Sequence, residues 1–457
     1  MSALRSKLFG SSGVRGLVNK ELTLELATRI GSAVAAYAKQ GKVIVARDTR
    51  TSGMMLEDAV VSGILAGEAE TALAGILPTP ALAYSTKRLS AGAGVMITAS
   101  HNPPQYNGIK IFDHNGTAIG DAEQKGIQRK IARNPSLASW DNICSVEEIA
   151  ADPLYVELIL KKIKLRKNWR VIVDPGCGAT YRIAPAIFNS LGCKVTALNA
   201  QSDGFFPARS SEPNADSLRP LARVTKAVHA EIAVAFDGDG DRMALIDDKG
   251  VFADSDRVLA GYARWVAEKN PNAIIVTNVE ASMCVDRMAE RAGGRVVRTK
   301  VGDVYITEEM RKLNAVFGGE SCGAWVHPTF HHCPDGIVSA LMVMTALEEQ
   351  DISLSQFIAK VPQYKIVRKN LACPNEFKFT VVEEMLEKLK MIFPDYANLS
   401  TVDGVRLRLR EGWILVRASG TEPAVRLTVE GESLRTANRI MRRGREAVMK
   451  HIREVSN

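Results

Sequence analysis

The stretch GVMITASHNP, residues 94–103, joins an apolar run to a polar loop that carries Ser100. A second apolar run, GIKIF at residues 108–112, follows it, and Asn107-Gly108 predicts a tight turn between two strands. Ser100 is therefore expected on a loop held by strands, where nucleophiles are common. Taken alone, Ser100 and Asn102 are more simply explained as turn residues ahead of a proline.

A second polar loop changes that interpretation. Residues 232–236, IAVAF, predict a buried strand, and Asp237, Asp239 and Asp241 leave it at every second position. In an extended chain alternate side chains share a face, so the three carboxylates would converge. The segment could instead be a solvated Asp-Gly turn, but three carboxylates repel one another unless a cation neutralises them. Oxygen ligands favour Mg²⁺ or Ca²⁺, and a transfer site favours Mg²⁺. A reactive serine together with this cluster suggests phosphoryl transfer at a metal.

Composition limits the class of protein. A chain of 457 residues is too long for one core, so three or four domains are expected. Hydrophobic residues make up 46% and charged residues 24%, which is typical of a soluble globular protein. The chain shows no signal-peptide pattern and no membrane-length apolar run, and its seven cysteines lack a tight spacing. We expect a cytoplasmic protein.

The net charge of +8 raises the question of a polyanionic partner. Basic residues cluster at 161–170 and along the last predicted helix, but no aromatic residues alternate with them. Solvated helix faces and attraction for a small anionic substrate explain these clusters better. We expect neither a nucleic-acid partner nor a membrane.

A strand, loop and helix unit occurs three times, beginning at KVIVA (42–46), VIV (171–173) and IIV (274–276). The repetition predicts an α/β fold with three related α/β domains and largely parallel sheets, whose ligand-binding loops follow the strands. The last ninety residues alternate like half-exposed strands among two helices and predict a smaller C-terminal α+β domain. The predicted domains are residues 1–150, 151–252, 253–365 and 366–457.

Three further loops carry possible ligand-binding groups. LFGSSGVRG, residues 8–16, is glycine-rich and contains Arg15, which could reach an anion. FGGESCGAW, residues 317–325, contains Glu320, which could hold sugar hydroxyls. RASGTEP, residues 417–423, lies between two predicted strands and is rich in the donors that a phosphate requires. Each could also be a structural turn.

Four of these loops resemble, in their order, the motifs of the α-D-phosphohexomutase superfamily. The motifs are TASHNP (98–103), DGDGDR (237–242), GESCG (319–323) and the segment 417–426. The similarity extends through the whole chain and includes residues 9–16. It is greatest to archaeal-type phosphoglucosamine mutases, with phosphomannomutase/phosphoglucomutase second.

The resemblance implies four domains around a central cleft and a phosphohexomutase, an isomerase and phosphoprotein of carbohydrate metabolism. Ser100 would be carried as phosphoserine, and a phosphate oxygen on Ser100 would hold Mg²⁺ together with Asp237, Asp239 and Asp241. Glucosamine 6-phosphate and glucosamine 1-phosphate would interconvert through a sugar 1,6-bisphosphate, which is both intermediate and activator. The partner would be a hexose or hexosamine phosphate, and the protein a monomer or homodimer.

The resemblance also assigns roles to other residues. Arg15, His101, Lys110 and Arg242 would surround the transferring group, with Lys110 as the candidate general acid or base. For that role the pKa of Lys110 would have to be lowered, which Arg15, Arg242 and Mg²⁺ could provide. The substrate-binding set would be Glu320, Cys322, Arg417, Ser419, Gly420, Thr421 and Arg426.

Two positions depart from the family's pattern. Many members have Ser where this chain has Cys322 and His where it has Ala324. His327, His331 or His332 could replace the absent histidine, and the sequence does not choose among them. A metal-dependent sugar phosphatase and a non-catalytic sugar-phosphate sensor are the alternative functions.

Overall fold

The computed structural model of the chain describes residues 8–39, 41–133, 137–420 and 422–456. The chain forms two compact units. The first unit contains the residues up to Ser255 together with Gly302–Ile358, and the second contains Asp256–Val301 together with the residues from Ala359 onward. Residues 253–365, the predicted third domain, contribute to both units. The predicted domain boundaries stay a prediction.

The first sheet of the first unit has six strands in the order β1-β5-β4-β2-β3-β6. β2 pairs in parallel with β3 and β4, whereas β5 is antiparallel to both β1 and β4. The sheet is therefore mixed. Its strands are β1 (Val14–Leu17), β2 (Val43–Arg47), β3 (Thr71–Ile76), β4 (Ala93–Ile97), β5 (Tyr106–Phe112) and β6 (Val146–Glu148), and its helices are α1 (Leu24–Tyr37), α2 (Gly53–Ala66), α3 (Thr79–Arg88) and α4 (Asp121–Ala132).

Helices α1 and α2 show why these segments fold as they do. The Thr23 side chain caps α1 by accepting a hydrogen bond from the Leu26 amide at 3.3 Å. α1 buries Ala27, Ile30 and Val34 on one stripe. A Cβ atom at Gly31 of α1 would lie 2.1 Å from the Val60 carbonyl oxygen of α2. The close approach of the two helices at this point therefore requires glycine.

The second sheet of the same unit has the order β10-β9-β7-β8. β7 is parallel to β8 and β9, and β10 is antiparallel to β9. β9 is buried along its whole length, as the sequence predicts, so the chain after Phe236 leaves the core at a fixed point. The elements are α5 (Asp152–Lys162), β7 (Arg170–Asp174), α6 (Ile183–Ser190), β8 (Lys194–Ala197), α7 (Arg219–Ala227), β9 (Ile232–Phe236) and β10 (Met243–Ile246).

The next part of the chain contains the third strand, loop and helix repeat. Strands β11 and β12 of the second unit pair in parallel, and strands β13 and β14 of the first unit form an antiparallel pair. The elements are α8 (Ser255–Lys269), β11 (Ile274–Asn278), α9 (Met283–Arg291), β12 (Arg295–Thr299), α10 (Asp303–Leu313), β13 (Phe317–Gly319), β14 (Trp325–Val326), α11 (Gly336–Gln350) and α12 (Leu354–Ala359).

The C-terminal part of the second unit is the predicted α+β domain. Its antiparallel sheet has the order β15-β19-β18-β17-β16, and one face packs Leu407, Ile414 and Leu427 against two helices. The three-residue strand β16 was not predicted because it is too short to show an alternating pattern. The elements are β15 (Lys365–Ala372), α13 (Lys378–Ile392), β16 (Asn398–Ser400), β17 (Val405–Leu409), β18 (Gly412–Ala418), β19 (Ala424–Gly431) and α14 (Leu434–Ser456).

The predicted turn at Asn107-Gly108 is wrong, because both residues lie inside β5. The chain reverses earlier, where the Tyr106 amide donates to the Pro103 carbonyl at 3.1 Å. A Cβ at Gly108 would lie 2.5 Å from the Thr98 carbonyl oxygen. The glycine therefore serves close packing of neighbouring strands, and not a turn.

None of the helices in the described part of the chain combines the length and the apolar composition that crossing a bilayer requires.

Candidate active site

Ser100 lies on the loop between β4 and β5, and its side chain points at the acidic loop that follows β9. Its hydroxyl donates a hydrogen bond to Asp237 Oδ2 at 2.7 Å. The residue is buried and has φ +52°, in the left-handed region that non-glycine residues seldom occupy. Such backbone strain persists only where surrounding contacts impose it, and it is concentrated at functional sites.

The acidic loop brings its three carboxylates together. Each of Asp237, Asp239 and Asp241 is buried, and one oxygen from each lies within 4.8 Å of the others. The loop is a turn, with Gly240 at φ +76°, and not the extended segment assumed from the sequence. A Cβ at Gly238 would lie 2.5 Å from the Ser100 carbonyl oxygen, so this glycine permits the acidic loop to contact the serine loop.

The hydrogen bonding of the three carboxylates leaves oxygens available for a cation. Oδ2 of Asp239 accepts from Thr79 Oγ1 at 2.5 Å, while Asp239 Oδ1 and Asp241 Oδ1 are buried and accept no hydrogen bond from the described residues. Burial, with the charges of Asp241 and Asp239, raises the pKa of Asp237 well above its ordinary value. Buried oxygens with this excess of negative charge fit a divalent cation.

Lys110 lies on β5 beside the acidic loop. Its Nζ donates to Asp239 Oδ2 and to Asp241 Oδ2, both at 2.6 Å. Burial alone would lower the pKa of Lys110, but the two carboxylates outweigh burial and raise it. The lowered pKa expected for general acid or base work depends on Mg²⁺ together with Arg15 and Arg242, and it stays a prediction, because in this metal-free arrangement two of the predicted metal ligands are the lysine's own partners.

Arg15 and His101 also lie at the serine loop. Arg15 Nη1 donates to Asn102 Oδ1 at 2.9 Å, and His101 Nδ1 lies 3.3 Å from Ser100 Oγ. Burial, together with the charges of Arg242 and Arg15, lowers the pKa of His101 to about 2. The imidazole is therefore neutral at physiological pH, and its ring nitrogen can accept a hydrogen bond or donate one according to its tautomer.

Arg242 follows the acidic loop and is held between carboxylates. Its Nε lies 3.9 Å from Asp241 Oδ1, and its Nη1 lies 3.6 Å from Glu212 Oε1. Glu212 also lies 3.9 Å from His101 Nε2. The structure thus brings all of the predicted catalytic residues together around Ser100, while their roles stay predictions.

Sequence reasoning missed several neighbours of this site. Thr79 donates to Asp239, and Glu212 faces both His101 and Arg242. Ser12 of the glycine-rich loop donates to Asp303 Oδ1 at 2.8 Å. No local motif marks these residues, because their partners are distant in sequence. Among them, only Ser12 lies in a segment that the sequence had marked as a possible ligand-binding loop.

The predicted sugar loop lies against the acidic loop within the first unit. Arg242 and Ala324 form an isolated β-bridge, and a Cβ at Gly323, which has φ +88°, would lie 1.9 Å from the Met243 carbonyl oxygen. Glu320 is buried, and its Oε1 accepts the Gly302 amide at 3.0 Å. Cys322 is exposed, with its Sγ 3.8 Å from Glu320 Oε2.

The three histidines proposed to replace the one absent at Ala324 occupy different environments. His327 Nε2 lies 3.1 Å from Ser339 Oγ, and burial lowers the pKa of His327 to about 3. His331 Nε2 lies 2.9 Å from Asp335 Oδ2, and both histidines are buried. His332 is partly exposed, which leaves it as the one of the three open to solvent.

The predicted phosphate loop lies in the second unit, between β18 and β19. Arg417 and Arg426 are opposite one another in the register of these strands, an unfavourable arrangement unless anions neutralise the two charges. Arg417 contacts Glu280 at 2.7 Å and Asp403 at 3.1 Å, and Arg426 contacts Glu422 at 3.2 Å.

Other residues of the phosphate loop differ in their exposure. Ser419 is buried, and its Oγ accepts the Glu422 amide at 3.1 Å. Gly420 is exposed. Thr421, which the resemblance places in the phosphate-binding set, lies outside the described residues.

Comparison with known proteins identifies the family. Four family models match the chain in order: Phosphoglucomutase/phosphomannomutase, alpha/beta/alpha domain I at residues 6–138, domain II at 153–250, domain III at 254–364, and the C-terminal domain at 369–447. A probable phosphoglucosamine mutase of Methanothermobacter thermautotrophicus is 40% identical over 449 residues, 97% of this chain and 98% of that protein.

Two further likenesses agree. A phosphoglucosamine mutase of Methanococcus maripaludis is 39% identical over 454 residues, 98% of this chain and 100% of that protein. The crystal structure of a phosphoglucomutase/phosphomannomutase family protein from Burkholderia thailandensis has a TM-score of 0.87 at 28% identity and covers 97% of each chain. The chain belongs to the phosphoglucomutase/phosphomannomutase family, the α-D-phosphohexomutases. The predicted family and four-domain α/β architecture are confirmed.

Proposed function

We propose that this phosphohexomutase interconverts glucosamine 6-phosphate and glucosamine 1-phosphate through a phosphoserine enzyme and a sugar 1,6-bisphosphate. The observation that carries the proposal is the position of Ser100, whose hydroxyl donates to Asp237 at the edge of three converging buried carboxylates. The preference for the amino sugar rests on the full-length relatives, which are named phosphoglucosamine mutases.

In the proposed reaction the phosphoryl group leaves Ser100 Oγ for the free hydroxyl of the sugar phosphate. The proton of that hydroxyl passes to a base, and the released Ser100 Oγ takes up a proton to become a hydroxyl. The bisphosphate turns over in the site, and its other phosphoryl group returns to Ser100, which regenerates the phosphoserine and releases the isomeric monophosphate. Asp237, Asp239 and Asp241 would hold Mg²⁺, which offsets the charge on the phosphoryl oxygens.

The surrounding residues support this chemistry. Neutral His101, 3.3 Å from Ser100 Oγ, can share a hydrogen bond with the serine oxygen and orient it. Lys110, which contacts Asp239 and Asp241, would place a positive charge beside the transferring group and stays the candidate general acid or base. Arg15 and Arg242 would stabilise the phosphoryl oxygens, and Glu320 with Cys322 would meet the sugar hydroxyls.

The distal phosphate of either monophosphate needs a binding site that accepts both orientations of the sugar. Arg417 and Arg426 offer forked donors, and Ser419, Gly420 and Thr421 offer neutral ones. The two arginines lie opposite one another in the register of β18 and β19, so both could face one phosphate.

Replacing Arg426 with alanine should weaken substrate binding by roughly 2 kcal/mol, because a charge-assisted contact with phosphate is lost. The variant should also release bisphosphate, so that added bisphosphate partly restores steady turnover. Substrate affinity and free bisphosphate are measured against wild type and against Arg435→Ala, which removes an exposed arginine of α14. Unchanged values in Arg426→Ala would place this loop outside the substrate site.

Glucosamine phosphate should have the highest kcat/KM, with glucose and mannose phosphates accepted less well, because an unmade hydrogen bond in a polar site is costly. The measurement is kcat/KM for the three 6-phosphates together with the release of inorganic phosphate. A highest value for mannose 6-phosphate would replace this assignment with phosphomannomutase. Stoichiometric inorganic phosphate would favour the sugar phosphatase.

We also propose that the protein is cytoplasmic, as a monomer or homodimer. All seven cysteines are free thiols, as expected in a reducing compartment. We further propose four domains with the boundaries expected from the sequence, 1–150, 151–252, 253–365 and 366–457.

A further inference from the structure

Arg50 lies on the loop between β2 and α2, in contact with the serine loop, and is fully buried. All three of its guanidinium nitrogens donate hydrogen bonds. Nε donates to Asp48 Oδ2 at 3.0 Å. The two Nη atoms donate to four backbone carbonyls, three in the serine loop and one at the first residue of β5: Ser100 at 2.9 Å, Asn102 at 2.7 Å, Pro103 at 2.7 Å and Tyr106 at 2.9 Å.

Asp48, the partner of Arg50, restrains the same loop from its other side. Its Oδ2 accepts the Thr98 hydroxyl at 2.6 Å, and Thr98 Oγ1 in turn accepts the Ser100 amide at 2.8 Å. The peptide groups on both sides of the Ser100 Cα atom are therefore fixed. One is held directly by Arg50 and the other through Asp48 and Thr98.

This restraint acts on a strained residue. Ser100 has φ +52°, which an unconstrained serine seldom adopts. The strained backbone directs Oγ to within 2.7 Å of Asp237. Relaxation of Ser100 into an ordinary conformation would turn Oγ away from the acidic loop. The energy that holds Ser100 in this conformation must come from neighbouring contacts. Arg50 supplies several of them, since it donates to the carbonyls of Ser100 and of the residues that follow it.

Stability alone is a weak explanation for such a group. Burying an ion pair is costly, and apolar residues of similar volume often stabilise a core as well or better. A guanidinium, in contrast, can reach carbonyls in two directions at once because its donors form a rigid planar fork. The contacts of Arg50 are therefore suited to fixing the geometry of one loop.

We propose that Arg50 is a positioning residue for phosphoryl transfer, acting through the serine loop without touching the substrate. It presents Ser100 Oγ to the acidic loop in one orientation, so that the serine does not have to reorganise before each transfer. This inference rests on the proposed role of Ser100 as the phosphoryl carrier.

The test is Arg50→Lys, which keeps the charge and can keep the contact with Asp48 but cannot reach four carbonyls. The rate of Ser100 phosphorylation is measured in a single turnover with glucose 1,6-bisphosphate and Mg²⁺, by intact-mass spectrometry. We expect a fall of about 100-fold, the scale expected when reacting atoms are misplaced by about 1 Å. Because the substrate and metal groups remain, KM and the Mg²⁺-dependent rise in Tm should stay near wild type.

The matched control is Arg29→Lys in the same compact unit. Arg29 donates from Nε and Nη2 to the Ile131 carbonyl, at 3.1 and 2.7 Å, and its partner is thus at the end of α4 and not in the serine loop. Its replacement should lower Tm without changing the phosphorylation rate. If Arg50 had a purely structural role, Arg50→Lys would have a lower Tm, but below its unfolding temperature Ser100 would be phosphorylated at the wild-type rate. That result would overturn the proposal.

A second variant covers the case in which Arg50→Lys does not fold. Thr98→Val is close in volume but removes the oxygen that joins Asp48 to the Ser100 amide, and it should slow phosphorylation with KM unchanged. A wild-type rate in Thr98→Val would also contradict the proposal. If the wild-type protein took up no phosphate on Ser100, the proposed function itself would fail. If wild type and variant were phosphorylated at equal rates, only the positioning role of Arg50 would fail.

Discussion

Replacing Ser100 with alanine should lower mutase turnover by at least about a thousandfold while leaving the protein folded, because the phosphoryl carrier is lost but binding is retained. The substitution removes one hydroxyl and its hydrogen bond to Asp237, and alanine fits the same space. Intact-mass spectrometry after incubation with sugar bisphosphate should show one added phosphate on wild type and none on the variant.

Ser85→Ala is the matched control for that experiment. Ser85 is also buried in the first unit, and its hydroxyl donates a long hydrogen bond, 3.5 Å, to the Ala151 carbonyl. We expect this variant to turn over and to accept phosphate like wild type. Near-normal turnover in Ser100→Ala would refute the phosphoserine mechanism, whatever the control showed.

Replacing Asp237 with asparagine should have opposite effects on stability and on activity. Burial and two neighbouring carboxylates raise the pKa of Asp237 in the folded state. Its charge therefore destabilises the metal-free fold as pH rises from the unfolded pKa through the folded pKa, and at neutral pH the penalty is present. In excess chelator, Asp237→Asn should be at least as stable as wild type.

With Mg²⁺ bound, wild type should become more stable than Asp237→Asn. A cation at one hundred times its Kd stabilises the fold by about 2.7 kcal/mol, so wild type should gain Tm on adding Mg²⁺. Asp237→Asn should gain little and should transfer phosphoryl groups slowly. Asp247→Asn is the control, since Asp247 is a buried carboxylate at the end of β10, outside the acidic loop. Full wild-type activity in excess chelator would contradict the metal assignment.

The serine loop and the acidic loop could be predicted from sequence because each follows a short, fully apolar strand. A buried strand fixes where the next polar residues emerge, so the order of β4, Ser100, β9 and Asp237 already places two reactive groups at strand ends. Prediction from the local sequence alone gave the wrong result at Asn107-Gly108. That pair suits a turn in isolation, but here Asn107 donates to Ser52 Oγ at 2.9 Å and the chain stays extended.

The residues that hold the site in place could not be predicted, since their partners lie far along the chain. Arg50 contacts a loop about fifty residues away, and Glu280 contacts Arg417, which is 137 residues away. Buried polar networks of this kind leave no periodic pattern, because each member needs only one partner in space. The direction of the pKa shift of Lys110 in the metal-free site could not be predicted for the same reason, because it depends on two carboxylates that lie far along the chain.

The most direct test of the account follows the phosphoryl group itself. Wild-type protein is incubated with glucosamine 6-phosphate, Mg²⁺ and a trace of glucosamine 1,6-bisphosphate labelled with ³²P. The label is then located on protein, sugar and inorganic phosphate. We predict that glucosamine 1-phosphate accumulates, that label enters both sugar monophosphates and the peptide carrying Ser100, and that inorganic phosphate stays at background. Release of the label as inorganic phosphate, or product formation with Ser100 unlabelled, would contradict the account.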